Sequence, residues 1–548
     1  MKRQDFLHCS AILIISAVLS KIIGAMFKIP LTNLIGGIGM GYFSGAYGLF
    51  LPIYAVFVTG LSAASAKLTA ETSIIYGTKG VKAVKKYSLL SFAAIGLVGS
   101  AVIVVFAKPF AEHVIENNDV YISLIIISPS VFFSCITAAY RGCCEGRKNM
   151  YPTAFSQLTE GVIKLVSGLV MCSYVLNNEE YFANLLRGYC TDRYALAAAG
   201  AVAGVTLSSF AGMLYMIISD IFSKPQPEEG GYLDKLDNGK EKKFIKSLIK
   251  IVIPISISAL ITNLTSLVDL ATIIRYINES VSENTEYFVS KYSFINEIGT
   301  ENFSAFVYGS FNGLAVTVFN LVPSVTNMFG KSILPAVTDS WTKKDYVSLT
   351  ENAESVLRIT SLVSVPAGLG ICVLAKEILA FLFPSSVNEV ALAYGSLAFL
   401  GPAVIVLSLS FPVFSMLQAV GREDLPAKIM IVGVIVKIAG NIILVRIPWL
   451  NSSGAALSTG LCYTVILVIS LWSFIKYTAI KISIKKIFIK PLYSGVLCMV
   501  AALLCRNITY NLLSSNIVLF LSVLSGAVVY FIAVWLMGEI DWICKKHS

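Results

Sequence analysis

Long apolar segments recur along the whole chain, and each is bounded by charged residues or by clusters of Gly and Pro. Each has roughly the 20 residues that an α-helix needs to cross a membrane. The pattern predicts fourteen transmembrane helices, at residues 7–28, 42–66, 87–107, 120–140, 153–175, 194–219, 247–274, 303–330, 356–375, 390–418, 427–446, 453–475, 488–505 and 516–537. The expected fold class is therefore an all-α polytopic membrane protein.

The composition agrees with this fold class and argues against several others. The chain has 548 residues, of which 56% are apolar and 14% charged, whereas soluble domains carry about 25% charged residues. The longest polar breaks, 223–250 and 275–302, are shorter than the roughly 50 residues of a small soluble domain. The net charge is +10, but the basic residues of a membrane protein mostly fix its topology, so no nucleic-acid partner is expected.

The distribution of basic residues predicts the orientation of the chain. With the N-terminus in the cytoplasm, the cytoplasmic segments would carry 30 of the 42 Lys and Arg residues and the external segments eight. Basic residues favour the cytoplasmic side. Both termini are therefore expected in the cytoplasm, which requires an even number of spans.

The two halves of the chain resemble each other. Pro129 and Pro402 are 273 residues apart, as are Lys164 and Lys437. We predict an N-terminal lobe of six helices at 1–222, a cytoplasmic linker at 223–246, a C-terminal lobe of six helices at 247–476, and two further helices with a cytoplasmic tail at 477–548. Two lobes related by an axis along the membrane normal are typical of alternating-access transporters with a central site.

Several basic residues lie within the predicted spans or near their ends. An ionisable group in a span normally faces a partner or a wet cavity. Local pairing is one alternative, since Glu160 lies four residues before Lys164. The excess charge is nevertheless positive, and Lys can bind phosphate as a point charge. The candidate substrate-binding residues, which would line a cavity for an anion, are Lys21, Lys28, Lys164, Lys437 and Arg275.

A second group of charged residues lies at the predicted inner ends of helices 2 and 4. They are candidates for an inner gate, or else ordinary basic and acidic residues of the cytoplasmic surface: Lys67, Glu71, Arg141, Glu145 and Arg147.

The sequence offers little evidence of catalytic motifs. Gly330-Lys331-Ser332 lacks the upstream Gly of a phosphate-binding loop. Neither an enzyme nor a bound cofactor is expected, and the eleven cysteines, mostly in apolar runs, indicate no metal site.

Three short motifs resemble those of the polysaccharide exporters in the multidrug/oligosaccharidyl-lipid/polysaccharide (MOP) superfamily, which is MATE-like in fold. The first helix carries Ser20-Lys21-Ile22-Ile23-Gly24 followed by Lys28. Helix 2 ends in Gly60-Leu61 through Lys67, and the turn from helix 10 to 11 runs from Gln418 through Gly421-Arg422 to Pro426. With fourteen spans and two lobes, the chain resembles the oligosaccharide flippases, and in particular the stage V sporulation protein B-like proteins related to the lipid II flippase MurJ.

The resemblance implies a function and a location. It implies flipping of an undecaprenyl-pyrophosphate-linked oligosaccharide, a peptidoglycan precursor, from the inner to the outer leaflet of the bacterial cytoplasmic membrane. Lys21 and Lys28 would then be the two basic residues of helix 1 in the wall of the cavity. The expected partners are the lipid-linked substrate, the bilayer and enzymes of cell-wall synthesis, with a link to sporulation.

Some relatives have a cation site in the C-terminal lobe, for which Asp269 and Asn441 would be the ligands of a coupling Na⁺ or H⁺. Two alternatives stay open at this point. One is a cation-coupled small-molecule antiporter in which Asp269 and Glu160 carry the ion, and the other is a scaffold of the cell-wall machinery that transports nothing.

Overall fold

The computed structural model describes residues 3–147, 149–186, 192–222, 241–483, 485–510 and 512–539. Most of the predicted linker at 223–246 and the end of the C-terminal tail lie outside these residues. In the described part the regular structure is helical, which confirms the all-α fold class. The α-helices are α1 (Arg3–Phe57), α2 (Thr59–Phe110), α3 (Val120–Ile127), α4 (Pro129–Gly146), α5 (Tyr151–Asn177), α6 (Glu179–Leu185), α7 (Arg193–Ile221), α8 (Glu241–Glu283), α9 (Thr285–Lys291), α10 (Ile295–Ile298), α11 (Thr300–Ser310), α12 (Val316–Phe319), α13 (Leu321–Thr342), α14 (Tyr346–Val373), α15 (Ala375–Leu382), α16 (Val387–Ala419), α17 (Asp424–Leu444), α18 (Ser452–Thr478), α19 (Lys490–Thr509) and α20 (Ser515–Leu536). Three π-helical segments join them at Ala111–Ile115, Phe311–Ala315 and Lys485–Ile489.

The described helices cover the predicted spans, although the number of helices that could cross a membrane is lower than the fourteen predicted. Twelve are long and apolar enough to cross a membrane, and the bent pair Thr300–Phe319 and Leu321–Thr342, with an angle of 42° between its parts, makes up to thirteen. Predicted helix 2 and the second half of predicted helix 1 lie in the single helical stretch Val18–Ser73. A straight helix of that length would measure about 84 Å, nearly three times the thickness of a bilayer core. The count of fourteen stays a prediction.

Two glycines interrupt the longest helices. Gly36 in α1 has φ 62° and ψ −169°, and Gly77 in α2 has φ 59° and ψ −144°. Both have a positive φ, which residues with a side chain rarely adopt. The two interruptions divide the continuous helical chain of α1 and α2 into segments whose lengths fit a bilayer more closely.

The chain divides into two compact units, Met1–Ala271 and Thr272–Ser548, with the boundary inside α8. In the first unit α2 packs on α4, and α5 packs on both α7 and α1. Small residues allow these close approaches, as is common between membrane helices. A Cβ added at Gly204 of α7 would lie 2.3 Å from the backbone of Gly168 in α5. The predicted lobes at 1–222 and 247–476 stay a prediction.

The second unit is organised around α16, which packs against α13, α14 and α18. The last two helices, α19 and α20, pack on each other and on α14. Glu539, which follows α20, is 0% exposed and lies 2.5 Å from Arg358 of α14 and 3.3 Å from Lys490 of α19. At the other end of α19, Arg506 lies 2.6 Å from the buried Glu377 of α15. Ion pairs therefore connect α19 and α20 to the rest of the unit.

The segment between α8 and α11, predicted to lie outside the membrane, has a folded core of aromatic residues. Phe288 and Phe303 are buried, with ring centroids 5.8 Å apart. Lys291 donates a hydrogen bond of 3.0 Å to the phenol oxygen of Tyr287, and burial raises the pKa of the Tyr292 phenol. The acidic side chains of the same segment point to the surface, at Glu283, Glu286, Glu297 and Glu301.

Candidate functional site

One face of α5 in the first unit carries a row of polar side chains. Ser156, Glu160 and Lys164 follow one another at intervals of four residues, so they lie above one another on the helix. The helices packed around α5 are α1 and α7, with α4 nearby. Each of these three helices helps to position a side chain of the row. Two of them, α1 and α4, contribute side chains that contact it, and α7 leaves room for one of its groups.

Lys164 is held by two aromatic rings of α1. Its Nζ lies 5.2 Å from the centroid of the Phe27 ring and 5.2 Å from the centroid of the Tyr47 ring. Both distances are within the range of a cation–π interaction. Phe27 is fully buried beside Gly168, where an added Cβ would lie 2.5 Å from its ring. A glycine on α5 therefore gives the ring its place under the ammonium group.

Lys28 is the second cation of this site. It is half-buried on α1 and directly follows Phe27, whose ring centroid lies 5.2 Å from the Lys164 ammonium group. Among the residues that the structure describes, no carboxylate forms an ion pair with either ammonium group. We call these two residues the basic pair. A pair of like charges without an internal counter-ion is suited to bind an anion.

Glu160, which the sequence offers as a partner for Lys164, is bound elsewhere. Its Oε1 lies 2.9 Å from Nη2 of Arg141 in α4. The same nitrogen donates a hydrogen bond of 2.8 Å to Oγ of Ser156. Gly212 of α7 makes room for the carboxylate, because a Cβ there would lie 2.2 Å from Glu160 Oε1. Local neutralisation of Lys164 by Glu160 is thus not the arrangement in the structure.

A ladder of aromatic rings continues from this site along α1. Ring centroids are 5.9 Å apart from Phe27 to Phe43, 4.8 Å from Phe43 to Tyr47, 5.7 Å from Tyr47 to Phe50 and 5.4 Å from Phe50 to Tyr54. Sequence reasoning missed this ladder as a part of the site. Its signal was present, since residues 43, 47, 50 and 54 have helical spacing on one face.

The other predicted substrate-binding residues lie in different surroundings. Lys21 is exposed on α1. Lys437 is buried on α17, where its backbone oxygen accepts a hydrogen bond of 2.9 Å from Ser458. Arg275 is exposed and lies 3.2 Å from Glu279, one turn further along α8. The structure brings together Lys28 and Lys164 of the first unit, and roles for Lys21, Lys437 and Arg275 in substrate binding stay predictions.

The predicted gate residues form two groups in the structure. Arg141 and Glu145 are half-buried, and Ser62 donates a hydrogen bond of 3.5 Å to Glu145. Arg147 donates to the backbone oxygen of Cys143 at 3.2 Å. Lys67 and Glu71 are exposed on α2. A gating role for these five residues stays a prediction.

The two predicted ligands of a coupling cation are both buried. Asp269 lies near the end of the first unit, on α8, and is 8% exposed. Asn441 lies on α17 in the second unit, where its Nδ2 donates a hydrogen bond of 2.8 Å to Thr272 Oγ1. A cation site formed by Asp269 and Asn441 stays a prediction.

The second unit contains an apolar cavity of about 410 Å³. Its walls come from α12 to α15 and from the two C-terminal helices, and include Leu321, Pro366, Gly370, Cys498, Gly526 and Tyr530. The phenol of Tyr530 donates a hydrogen bond of 2.6 Å to the backbone oxygen of Leu362, so the polar tip of this side chain is satisfied. The cavity can accept a hydrocarbon chain but no charged group.

Comparison with known proteins relates this fold to a group of membrane transporters. The model of the family described as lipid II flippase MurJ matches residues 52–524. Stage V sporulation protein B of Bacillus subtilis (strain 168) is 22% identical over 458 residues, covering 84% of this chain and 81% of that protein.

Two solved structures share the fold. A lipid II flippase MurJ in an inward closed conformation has a TM-score of 0.69 at 14% identity, covering 96% of this chain and 99% of that one. A multidrug resistance MATE family transporter of the MOP superfamily, in an inward-facing conformation, has a TM-score of 0.59 at 14% identity, covering 83% and 94%. Both likenesses extend over most of each chain, and the fold is therefore the MurJ- and MATE-like fold of the MOP superfamily.

Proposed function

The chain belongs to the lipid II flippase MurJ family, and from this premise we propose that it moves an undecaprenyl-pyrophosphate-linked oligosaccharide from the inner to the outer leaflet of the bacterial membrane by alternating access. The substrate would be a peptidoglycan precursor, and the similarity to a stage V sporulation protein favours a precursor of the spore cortex. The protein would act as a transporter and would catalyse no reaction of its own.

The observation that carries this proposal is the basic pair. Lys28 and Lys164 present two ammonium groups with no carboxylate bound to either in the described residues. A pyrophosphate that leaves water needs compensating cations, because an isolated buried charge is costly. The two ammonium groups would supply them.

The aromatic rings beside the pair add a further property. Phe27 and Tyr47 lie against Lys164 and attract its ammonium group by cation–π interaction. An ammonium group that is stabilised by rings, rather than by a carboxylate, keeps its net charge available for a ligand. This supports a site for an anion over a site for a cation.

The apolar cavity of the second unit supports a lipid as the carrier of that anion. Its walls are almost entirely hydrocarbon, and its volume of about 410 Å³ is within the usual range of ligand pockets. A segment of a polyprenyl chain could be accommodated there while the rest stays in the bilayer.

A reconstituted translocation assay tests the proposal. The full-length protein in liposomes is expected to move polyprenyl-pyrophosphate-linked oligosaccharides between leaflets, and to move a neutral glycolipid of equal chain length at the background rate. Lys164→Ala should abolish the transport. Lys108→Ala, which removes an exposed cation at the end of α2, is the matched control and should transport normally.

Equal transport of the charged and the neutral lipid would contradict the anionic-substrate mechanism. The antiporter alternative rests on a different observation, the burial of the carboxylate Asp269 within a fold shared with a MATE transporter. It predicts that Asp269→Asn alone abolishes transport and that a small organic cation is the cargo. A scaffold, in turn, would tolerate neutralisation of both residues of the basic pair.

Both termini are proposed to lie in the cytoplasm, with the segment 275–302 outside. The coupling ion, if the cycle uses one, would be Na⁺ or H⁺ at Asp269 and Asn441. Enzymes that synthesise or consume the lipid-linked precursor are the proposed partners at the two membrane surfaces.

A further inference from the structure

We propose that Arg141 is a positioning residue of the anion site: by binding Glu160, it keeps that carboxylate away from Lys164 and so keeps the basic pair open to a pyrophosphate. This inference rests on the proposed function. It assigns Arg141 an electrostatic task in substrate binding that differs from gating.

Glu160 has two possible partners in its neighbourhood. Lys164 follows it by four residues on α5, and a Glu placed four residues before a Lys is the favourable orientation for an ion pair on a helix. In the structure the carboxylate is instead 2.9 Å from Arg141 on α4. Arg141 and Lys164 therefore compete for the Glu160 carboxylate, and in the structure Arg141 forms the ion pair.

The surroundings explain why Arg141 prevails. Nη2 of Arg141 is anchored a second time by Ser156 Oγ at 2.8 Å, which fixes the guanidinium group in front of the carboxylate. Gly212 leaves the space that the carboxylate occupies. The two side chains are only 15% and 28% exposed, and a charge-assisted hydrogen bond is stronger where water is scarce.

The consequence concerns the net charge of the site. With Glu160 bound to Arg141, the carboxylate is neutralised and the basic pair retains two positive charges. Without Arg141, Glu160 would be an unpaired, partly buried carboxylate one turn from Lys164, and pairing with it is the arrangement that satisfies both groups. One of the two cations offered to the substrate would then be neutralised.

A double-variant experiment tests this. The binding of farnesyl pyrophosphate to the purified full-length protein in detergent is measured by isothermal titration calorimetry. Arg141→Ala is expected to bind about tenfold or more weakly than the wild type, the typical loss of one charge-assisted contact. Arg141→Ala/Glu160→Gln is expected to bind within about threefold of the wild type, because the competing carboxylate is gone.

A merely structural role predicts the opposite for the double variant. If the Arg141–Glu160 pair only held α4 and α5 together, the double variant would lack this connection as well and would bind as weakly as Arg141→Ala. That result would overturn the inference while leaving the proposed function intact, provided that Lys164→Ala has lost binding. A wild type that binds no farnesyl pyrophosphate, or binds it as well as Lys164→Ala does, would overturn both.

A second variant keeps the inference testable if Arg141→Ala does not fold. Gly212→Ala would place a methyl group where the Glu160 carboxylate lies and displace it from Arg141 without removing a charge. It is expected to weaken binding, and Gly212→Ala/Glu160→Gln to restore it. Weak binding by both Gly212 variants would overturn the inference.

Discussion

The ammonium group of Lys164 lies within a membrane-spanning helix, where a charge costs at least about 2.5 kcal/mol on insertion scales. The rings of Phe27 and Tyr47 offset a part of this cost, since a cation–π contact contributes about 0.5–2 kcal/mol. A carboxylate would offset more, yet the nearest one on the same helix is bound to Arg141. Lys164 therefore lies in a span without a carboxylate partner among the described residues, an arrangement that is typical of a group that serves a ligand.

The first prediction concerns this charge. Lys164→Ala is expected to lower complementation of a flippase-depleted strain by at least about tenfold, the effect of one lost charge-assisted contact. Lys164→Arg should retain a part of the activity, because the charge remains while its geometry changes. Immunoblots of membrane fractions check that both variants are inserted at the wild-type level. Full complementation by Lys164→Ala would contradict the proposed site.

The second prediction concerns the glycine that gives Phe27 its place. Gly168→Ala would set a Cβ 2.5 Å from the Phe27 ring, and overpacking of this kind typically costs about 1–3 kcal/mol. The ring should shift from under Lys164, so transport is expected to fall together with the thermal stability in detergent. Gly24→Ala on α1 is the matched control, because nothing lies within 4 Å of its added Cβ. If the control lost as much, the effect could not be assigned to Phe27.

The sequence predicted the cation at position 164 but not its environment. Spacing along one helix identifies neighbours such as Glu160 and Lys164, whereas Arg141 approaches Glu160 from another helix. The space left by Gly212 has no signature in the local sequence either. The partner of a buried charge is therefore decided by packing between helices, which the hydrophobic pattern alone does not specify.

At the scale of elements, the connection of α20 to the rest of the second unit depends on a buried carboxylate. Glu539 is 0% exposed and pairs with Arg358, which is 12% exposed. Removing one partner of a buried pair leaves an uncompensated charge, which typically costs about 3–5 kcal/mol. The pair is thus expected to keep α19 and α20 docked on α14.

The third prediction follows from this connection. Glu539→Ala should lower the unfolding temperature in detergent and make the C-terminal helices accessible to protease. Lys490→Ala is the matched control: it removes the other partner of Glu539, but Lys490 is 45% exposed, and exposed pairs contribute about 1 kcal/mol or less. A Glu539 variant as stable as the control would show that α20 is held by apolar packing instead.

The helices themselves were largely predictable, because an apolar segment of spanning length can satisfy its backbone only as a helix in a membrane. Their interruptions were harder to predict. The hydrophobic pattern predicted that helix 1 ends at residue 28 and helix 2 begins at residue 42. In the structure α1 continues past both positions, with a kink at Gly36. Polar residues mark where a span leaves the membrane but do not require the helix to end there.

At the scale of the whole molecule, the match to a flippase family model extends over residues 52–524, while the fourteen apolar segments and the repeat of 273 residues stay predictions. The sequence suggested both because hydropathy and internal similarity extend over hundreds of residues and tolerate errors at single positions. The folded aromatic core between α8 and α11 was not expected, since the sequence indicated only a polar break at 275–302. The acidic side chains of this segment are exposed, while Phe288 and Phe303 beneath them are buried.

The last prediction concerns the orientation of the chain in the membrane. Because basic residues are concentrated in alternate segments, position 283 is expected outside and position 239, in the predicted linker beyond the described residues, inside. Single cysteines replace Glu283 and Gly239 in a variant without the eleven native cysteines, and an impermeant maleimide is applied to intact cells. Glu283 is exposed, so Glu283→Cys should be labelled at once. Gly239→Cys should react only after the membrane is permeabilised, which also controls for its reactivity. Labelling of Gly239→Cys in intact cells, with Glu283→Cys protected, would reverse the topology and with it the proposed direction of transport.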